Sequence, residues 1–139
     1  MRVTLSDDAK RFMRLFAEEA DINPRDCLVE SDRVVVLVPP DGMADAIGPD
    51  GHTVEQIEQK AGRDIELIAD ADTPAAFVES TLAPAAVRGV TVSEQGDRVA
   101  YVEVVEDDRG IAIGSDGRRI ETARKLADRH HDIDDIQLT

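Results

Sequence analysis

Two pentapeptides carry the chemistry of this chain, Ile47-Gly48-Pro49-Asp50-Gly51 and Ile113-Gly114-Ser115-Asp116-Gly117, and they stand 66 positions apart. A Gly-x-x-Gly turn between two helices lets the backbone approach another molecule closely, because neither glycine presents a side chain. The helix that follows each turn aims its N-terminal N–H groups and the positive end of its dipole at the loop. That arrangement suits a nucleic-acid backbone, with bases lying in an apolar groove beside it. Ile47, Val54 and Ile57 at the first loop, and Ile113 and Ile120 at the second, are the candidate apolar contacts. His52 follows the first loop directly. Arg118 and Arg119 occupy the first helical turn after the second, where they oppose the dipole; a phosphate backbone would explain that placement. A pair of tight helix–helix turns with no ligand is the alternative reading of the same residues.

The variable loop positions, Pro49-Asp50 and Ser115-Asp116, each include a carboxylate. Facing a phosphodiester, it costs binding energy through like-charge repulsion. The reading preferred from sequence is a capping role, Asp50 accepting from the N–H of His52 or Thr53 and Asp116 from that of Arg118 or Arg119. Local charge separates the two loops. Residues 43–63 hold two basic and four acidic side chains, whereas residues 109–129 hold six basic (Arg109, Arg118, Arg119, Arg124, Lys125, Arg129) and three acidic. The stronger binder of an anionic strand should therefore be the second loop, unless those charges are merely a solvated helical face.

The rest of the composition narrows the field. Thirty acidic against sixteen basic residues give a net charge of −14, a balance that ordinarily argues against a nucleic-acid partner. Asp outnumbers Glu 19 to 11 and Arg outnumbers Lys 13 to 3. A uniformly acidic, Lys-poor surface fits work in concentrated salt, where the Debye length falls to roughly 3 Å at 1 M and like charges hardly repel; mimicry of nucleic acid or a basic partner is the rival explanation. Aromatic residues are 3%, too few for a stacking platform, so selectivity would rest on base edges and groove shape. Single Cys27 excludes an intrachain disulfide and a cysteine-cluster zinc site, and is read as a buried strand residue. Adjacent His130 and His131 suit a helix C-terminus better than a metal. Nothing resembles a nucleophile–base pair, a P-loop or paired carboxylates. No catalytic residue, metal, cofactor or small-molecule substrate is therefore expected. No apolar run approaches 18 residues and Met1-Arg2-Val3-Thr4 lacks signal-peptide organisation, so a cytoplasmic protein without a membrane partner is expected.

The elements that position the loops repeat as well. In 139 residues, 42% hydrophobic, two copies of one unit fit: residues 1–70 with the loop Gly48–Gly51, and 71–139 with the loop Gly114–Gly117. In the first, Ser6 caps a helix with Asp7 and Asp8 in its first turn and a core stripe of Phe12, Leu15 and Phe16, ending near Ala20. Strands Cys27–Val29 and Val34–Val38, a short helix Met43–Ile47, a helix His52–Lys60 stopped at Gly62, and a strand Ile65–Ile68 follow. The second copy reads as helix Pro74–Leu82, strands Val87–Ser93 and Arg98–Val105, short helix Asp107–Ile113, helix Gly117–His130 and strand Asp134–Leu138. The fold class is α+β, with the order αββααβ twice. The short linker predicts close packing of the copies.

Ile-Gly-x-x-Gly between two helices, inside αββααβ, resembles the KH domain in its type II (prokaryotic) form. Two in tandem, with Thr81-Leu82-Ala83-Pro84-Ala85 opening the second and the stretch 98–117 (Arg-Val-Ala-Tyr-Val-Glu-Val-Val-Glu-Asp-Asp-Arg-Gly-Ile-Ala-Ile-Gly-Ser-Asp-Gly), are similar to the NusA family of transcription elongation and termination factors. The resemblance covers essentially the whole chain and matches the short archaeal form, without the N-terminal polymerase-binding and S1 domains of bacterial members. It implies single-stranded RNA as ligand and RNA polymerase as partner. The loops depart from the family in carrying Asp where basic or small residues are usual. Taken together, a non-enzymatic RNA-binding transcription factor is expected. A protein-interaction scaffold on polymerase or ribosome and a role in ribosome assembly are the alternatives. Because counterion release disfavours binding as salt rises, such a binder in a salt-rich cell would have to rely on backbone amides and apolar contacts.

Overall fold

The computed structural model describes residues 5–139, so the reading of Met1–Thr4 lies outside the described residues. The chain divides into two compact units between Asp70 and Ala71. The first runs α1 (Asp7–Ala20), β1 (Asp26–Val29), β2 (Val34–Val38), α2 (Met43–Ile47), α3 (His52–Ala61) and β3 (Ile65–Ala69). The second runs α4 (Pro74–Leu82), β4 (Val87–Ser93), β5 (Val99–Val104), α5 (Arg109–Ile113), α6 (Arg118–His131) and β6 (Asp135–Leu138). The order αββααβ is realised twice, and the fold is α+β. Single 3₁₀ turns at Pro40–Gly42, Pro49–Gly51, Glu106–Asp108 and Ser115–Gly117 lead into α2, α3, α5 and α6.

The local signals act where the sequence puts them. Ser6 caps α1 through its Oγ, which accepts from Ala9 N–H at 3.1 Å, and Asp7 and Asp8 meet the positive end of the helix dipole. Ala9, Phe12 and Phe16 form the buried face of α1. Asp21 ends the helix in the left-handed region, and Ile22 N–H returns to the Phe16 carbonyl. The β1–β2 hairpin closes through Glu30 N–H to the Arg33 carbonyl at 2.9 Å. Arg33 ties this turn to β3 by a 2.6 Å bond from Nε to Glu66. Burial alone would lower the Arg33 pKa, but the hydrogen bond and charge of Glu66, with Asp32 adding, leave it raised above its ordinary value.

Each unit holds a three-stranded sheet, β1-β2-β3 and β4-β5-β6, in which the first pair is antiparallel and the second parallel. A parallel pair needs a crossover, and the α2–α3 and α5–α6 segments supply it. The central strand of the first sheet, Val34–Val38, is buried at all five positions, hence its unbroken run of Val and Leu. Its counterpart β5 alternates instead: Ala100, Val102 and Val104 are buried, Tyr101 and Glu103 exposed. Phe12, Phe16, Cys27, Val34, Val36, Val38, Ala46 and Ile57 pack into the first core. In the second unit Phe77, Val78, Leu82, Ala112, Leu126 and Ile136 are buried. The rings of His130 and His131 lie 5.8 and 4.6 Å from Phe77. α6 has 14 residues against 10 in α3, an added turn that accounts for most of the extra length between the second loop and its last strand.

Two residues read from sequence as groove contacts belong to these cores. Ile57 is 0% exposed and Ile120 is 7% exposed. Both sit on the helical face that must cover the sheet, so neither presents an apolar surface to a ligand. Ile57→Ala is accordingly expected to cost about 2–5 kcal/mol of stability, and exposed Ile47→Ala less than about 0.5 kcal/mol, read from denaturant midpoints at fixed KCl.

Candidate nucleic-acid interface

The two loops are conformational twins. Gly48 and Gly114 have φ/ψ of 75°/174° and 80°/172°, Asp50 and Asp116 both 54°/27°, and Gly51 and Gly117 76°/12° and 74°/13°. The first glycine sits in a region that essentially only glycine visits. It also lies against the start of the following helix: a Cβ on Gly48 would come within 2.6 Å of Thr53 Cβ, and one on Gly114 within 2.8 Å of Arg119 N. The second glycine is left-handed, and the space beside it is open; around Gly117 a Cβ would meet nothing within 4 Å. The first glycine therefore serves the fold, while the second leaves room at the surface.

The left-handed conformation also accounts for Asp at the intervening position, since Asp and Asn are the side-chain-bearing residues that adopt it most readily. The expected capping bonds are not made. Gly51 and Gly117 occupy the N-cap positions and no side chain caps α3 or α6. One residue too early and turned outward, the carboxylates of Asp50 and Asp116 stand in solvent. Several loop amides are already engaged: Gly51 and Gly117 N–H donate to the Gly48 and Gly114 carbonyls at 3.1 Å, and Gly48 and Gly114 N–H to Ala44 and Gly110 at 2.9 Å. His52 and Arg118 N–H donate to Pro49 and Ser115. The amides available to a ligand are fewer than the sequence pattern implies.

Around this shared frame the units diverge. Ile47 is 38% exposed on α2 and Ile113 40% exposed on α5. Ile111, 42% exposed, joins Ile113 and escaped the sequence reading. The signal was present: a five-residue helix that buries Ala112 must expose its neighbours. At the equivalent place in the first unit stands exposed Asp45. Val54 is half-buried, His52 and Pro49 exposed, and Ser115 exposed. The residues read as binding positions thus form one group per unit, with Ile57 and Ile120 removed from them.

The positive island of the second unit is partly committed to the fold. Arg119 donates from Nε to the Ile111 carbonyl at 3.1 Å and from Nη1 to the Ala83 carbonyl at 2.8 Å. Bonding of this kind satisfies the C-terminal carbonyls that a short helix leaves open. Arg119 is therefore a clamp on α5 rather than a charge held out to a ligand. Arg109 donates to the Thr139 carbonyl at 2.8 Å. Arg124 pairs with Glu121 at 2.6 Å and Asp135 at 2.9 Å and donates to the Ile136 carbonyl. Arg118, by contrast, keeps a side chain 47% exposed beside the loop, its Nη2 at 3.8 Å from Asp116 Oδ2.

Two αββααβ units, each with a Gly-x-x-Gly turn inside its crossover, make this a tandem KH-type protein. Residues 74–139 match the family model described as a NusA-like second KH domain. Over 138 residues and 99% of both chains, the sequence is 54% identical to the probable transcription termination protein NusA of Halococcus morrhuae. It is 50% identical over the full length of the protein so named from Halobacterium salinarum. The transcription termination/antitermination protein NusA of Mycobacterium tuberculosis is 36% identical over 88 residues, 63% of this chain and 25% of that protein. The crystal structure of APE1850 has the same fold, with a TM-score of 0.82 at 21% identity over 97% of this chain and 100% of that one. The chain belongs to the NusA family.

The two glycines of a loop should respond differently to substitution. Gly114→Ala forces a Cβ onto the backbone of Arg119 in a glycine-only conformation and is expected to cost about 2 kcal/mol or more. Gly117→Asn, left-handed with open space around it, should cost less than about 1 kcal/mol, both read by urea denaturation.

Proposed function

We propose that this protein is a non-enzymatic RNA-binding factor of transcription termination or antitermination, which holds single-stranded RNA at RNA polymerase. In this reading residues 1–70 and 71–139 are two KH domains and the second is the principal RNA contact. The observation that carries it is the surface around Gly114–Gly117: exposed Ile111 and Ile113, a half-exposed Arg118, and open space beside Gly117. A strand would cross the loop at Gly117 with Arg118 near its phosphates and with bases against the two isoleucines. Ile47, Gly48, Pro49, Asp50, Gly51, His52 and Val54 would form a weaker, acidic counterpart in the first unit. Support for the biological setting comes from the relatives, which are named as transcription termination proteins.

The acidic composition and the carboxylate in each loop favour a second reading, a scaffold that binds polymerase with little affinity for RNA. Fluorescence anisotropy of a labelled single-stranded RNA pool, at moderate and multimolar KCl and with folding followed by circular dichroism, separates the two. RNA binding predicts saturable titration in both buffers. Replacing Ile111 and Ile113 together by Ser is expected to lower affinity about tenfold or more without loss of fold, and Ile47→Ser to change it little. A folded protein that binds no RNA in either buffer, yet is retained by polymerase, would establish the scaffold instead.

A further inference from the structure

β4 (Val87–Ser93) forms an outer edge of the second sheet, with seven residues against four in its counterpart β1. Thr139 and Asp134 N–H donate to the carbonyls of Val102 and Arg98 at 2.8 and 2.7 Å, so the even-numbered residues of β5 turn their backbone groups toward β6. Backbone groups alternate in direction along a strand, which leaves Tyr101 and Val99 to bond their register partners Thr91 and Ser93 in β4. Val90 and Val92 therefore turn N–H and C=O away from the sheet, and among the described residues they make no hydrogen bond beyond it. An edge of this kind is a template for another strand. The β-bulge between Val87 and Gly89 closes it at one end and the strand stops at Ser93, so the regular stretch is 89–93, with Thr91 at its centre.

We propose that β4 pairs antiparallel with β4 of a second copy of this chain, about a two-fold axis at Thr91; the pairing goes beyond RNA binding and does not depend on it. A centre at Thr91 uses the whole regular stretch. Val90 then faces Val92 of the second copy, the two exchanging N–H and C=O groups, and exposed Thr91 faces its own equivalent. Arg88 falls opposite Glu94 of the second copy, a charge match independent of the backbone geometry. Arg88 is exposed at the bulge and makes no hydrogen bond or ion pair among the described residues. Glu94 keeps a side chain 70% exposed while paired with Arg98 at 3.1 Å. Val90 and Val92 are half-buried in the single chain, and the added strand covers what they still expose. The axis stands normal to the sheet, so the helices of both copies lie on one face and the assembly carries two copies of the second loop. One strand pair is a small interface and each copy carries a net charge of −14, so association is weak and strengthens as KCl screens that repulsion.

The test is sedimentation velocity of the full chain over a wide range of protein concentration at moderate KCl, with folding followed by circular dichroism. The mass is expected to rise from monomer toward dimer as concentration increases. Val92→Pro removes an outward donor and leaves the β5 ladder alone, as an edge strand tolerates, and should raise the dissociation constant at least about tenfold. Arg88→Glu and Glu94→Arg each set like charges opposite one another and should each weaken the dimer about threefold or more. An equimolar mixture of those two variants should restore association, because the mixed pair again matches in charge at both ends. Rescue by the mixture upholds the Thr91 register even where Val92→Pro fails to fold. A monomer at every concentration leaves the edge to a strand of another protein and overturns the proposal. So does a dimer that Val92→Pro, still folded, leaves intact, or a pair of charge variants that their mixture does not rescue.

Discussion

Parallel pairing of the last strand with the central strand is the constraint from which the rest of each unit follows. β2 and β3, like β5 and β6, run side by side in the same direction, so no tight turn can join them. The chain must leave one end of the sheet and return to the other. It does so with a short helix, a reversal and a longer helix laid on the sheet. The reversal is the Gly-x-x-Gly loop. Because the first glycine packs on the helix that follows, at Thr53 in one unit and Arg119 in the other, the turn is held by the same crossover that closes the sheet. A loop of this kind is displayed at the surface without depending on its own flexibility.

On that frame, two copies with nearly superimposable backbone angles carry different surfaces. The first presents Ile47, Asp45, Asp50 and His52; the second presents Ile111, Ile113, Asp116 and Arg118. Both units carry the two glycines and the left-handed Asp that shape the turn, and they differ at the positions around it. The fold thus explains why both copies keep the signature, and the side chains explain why they need not share a task.

Much of the architecture was legible in the sequence because it is set by local chemistry. Ser6 followed by two Asp residues, Gly62 after a periodic stretch, and Pro74 at a helix start each lie where they were read, and the structure adds Thr73 as the cap that accepts from Ala76 N–H. The Val34–Val38 run and the two loops were equally plain. Burial and partner choice were not. Ile57 and Ile47 are the same residue type on neighbouring helices, yet one is sealed in the core and the other exposed. Arg118 and Arg119 are adjacent and identical in chemistry, but Arg119 turns back onto the Ile111 and Ala83 carbonyls while Arg118 stays beside the loop.

What the sequence by itself determined is therefore the repeated order of helices and strands, the place of each turn, and membership of a tandem Gly-x-x-Gly class. These follow from spacing, capping and backbone freedom, which act over a few residues. Only the tertiary structure decided which apolar residues face out, which arginines hold the fold, and that the loop carboxylates stand in solvent instead of capping a helix. Those outcomes depend on which helical face the sheet covers and on carbonyls 8 and 36 residues away in the chain, such as those that bind Arg119. No local pattern encodes a partner brought near by the crossover; it exists only once the chain has closed on itself.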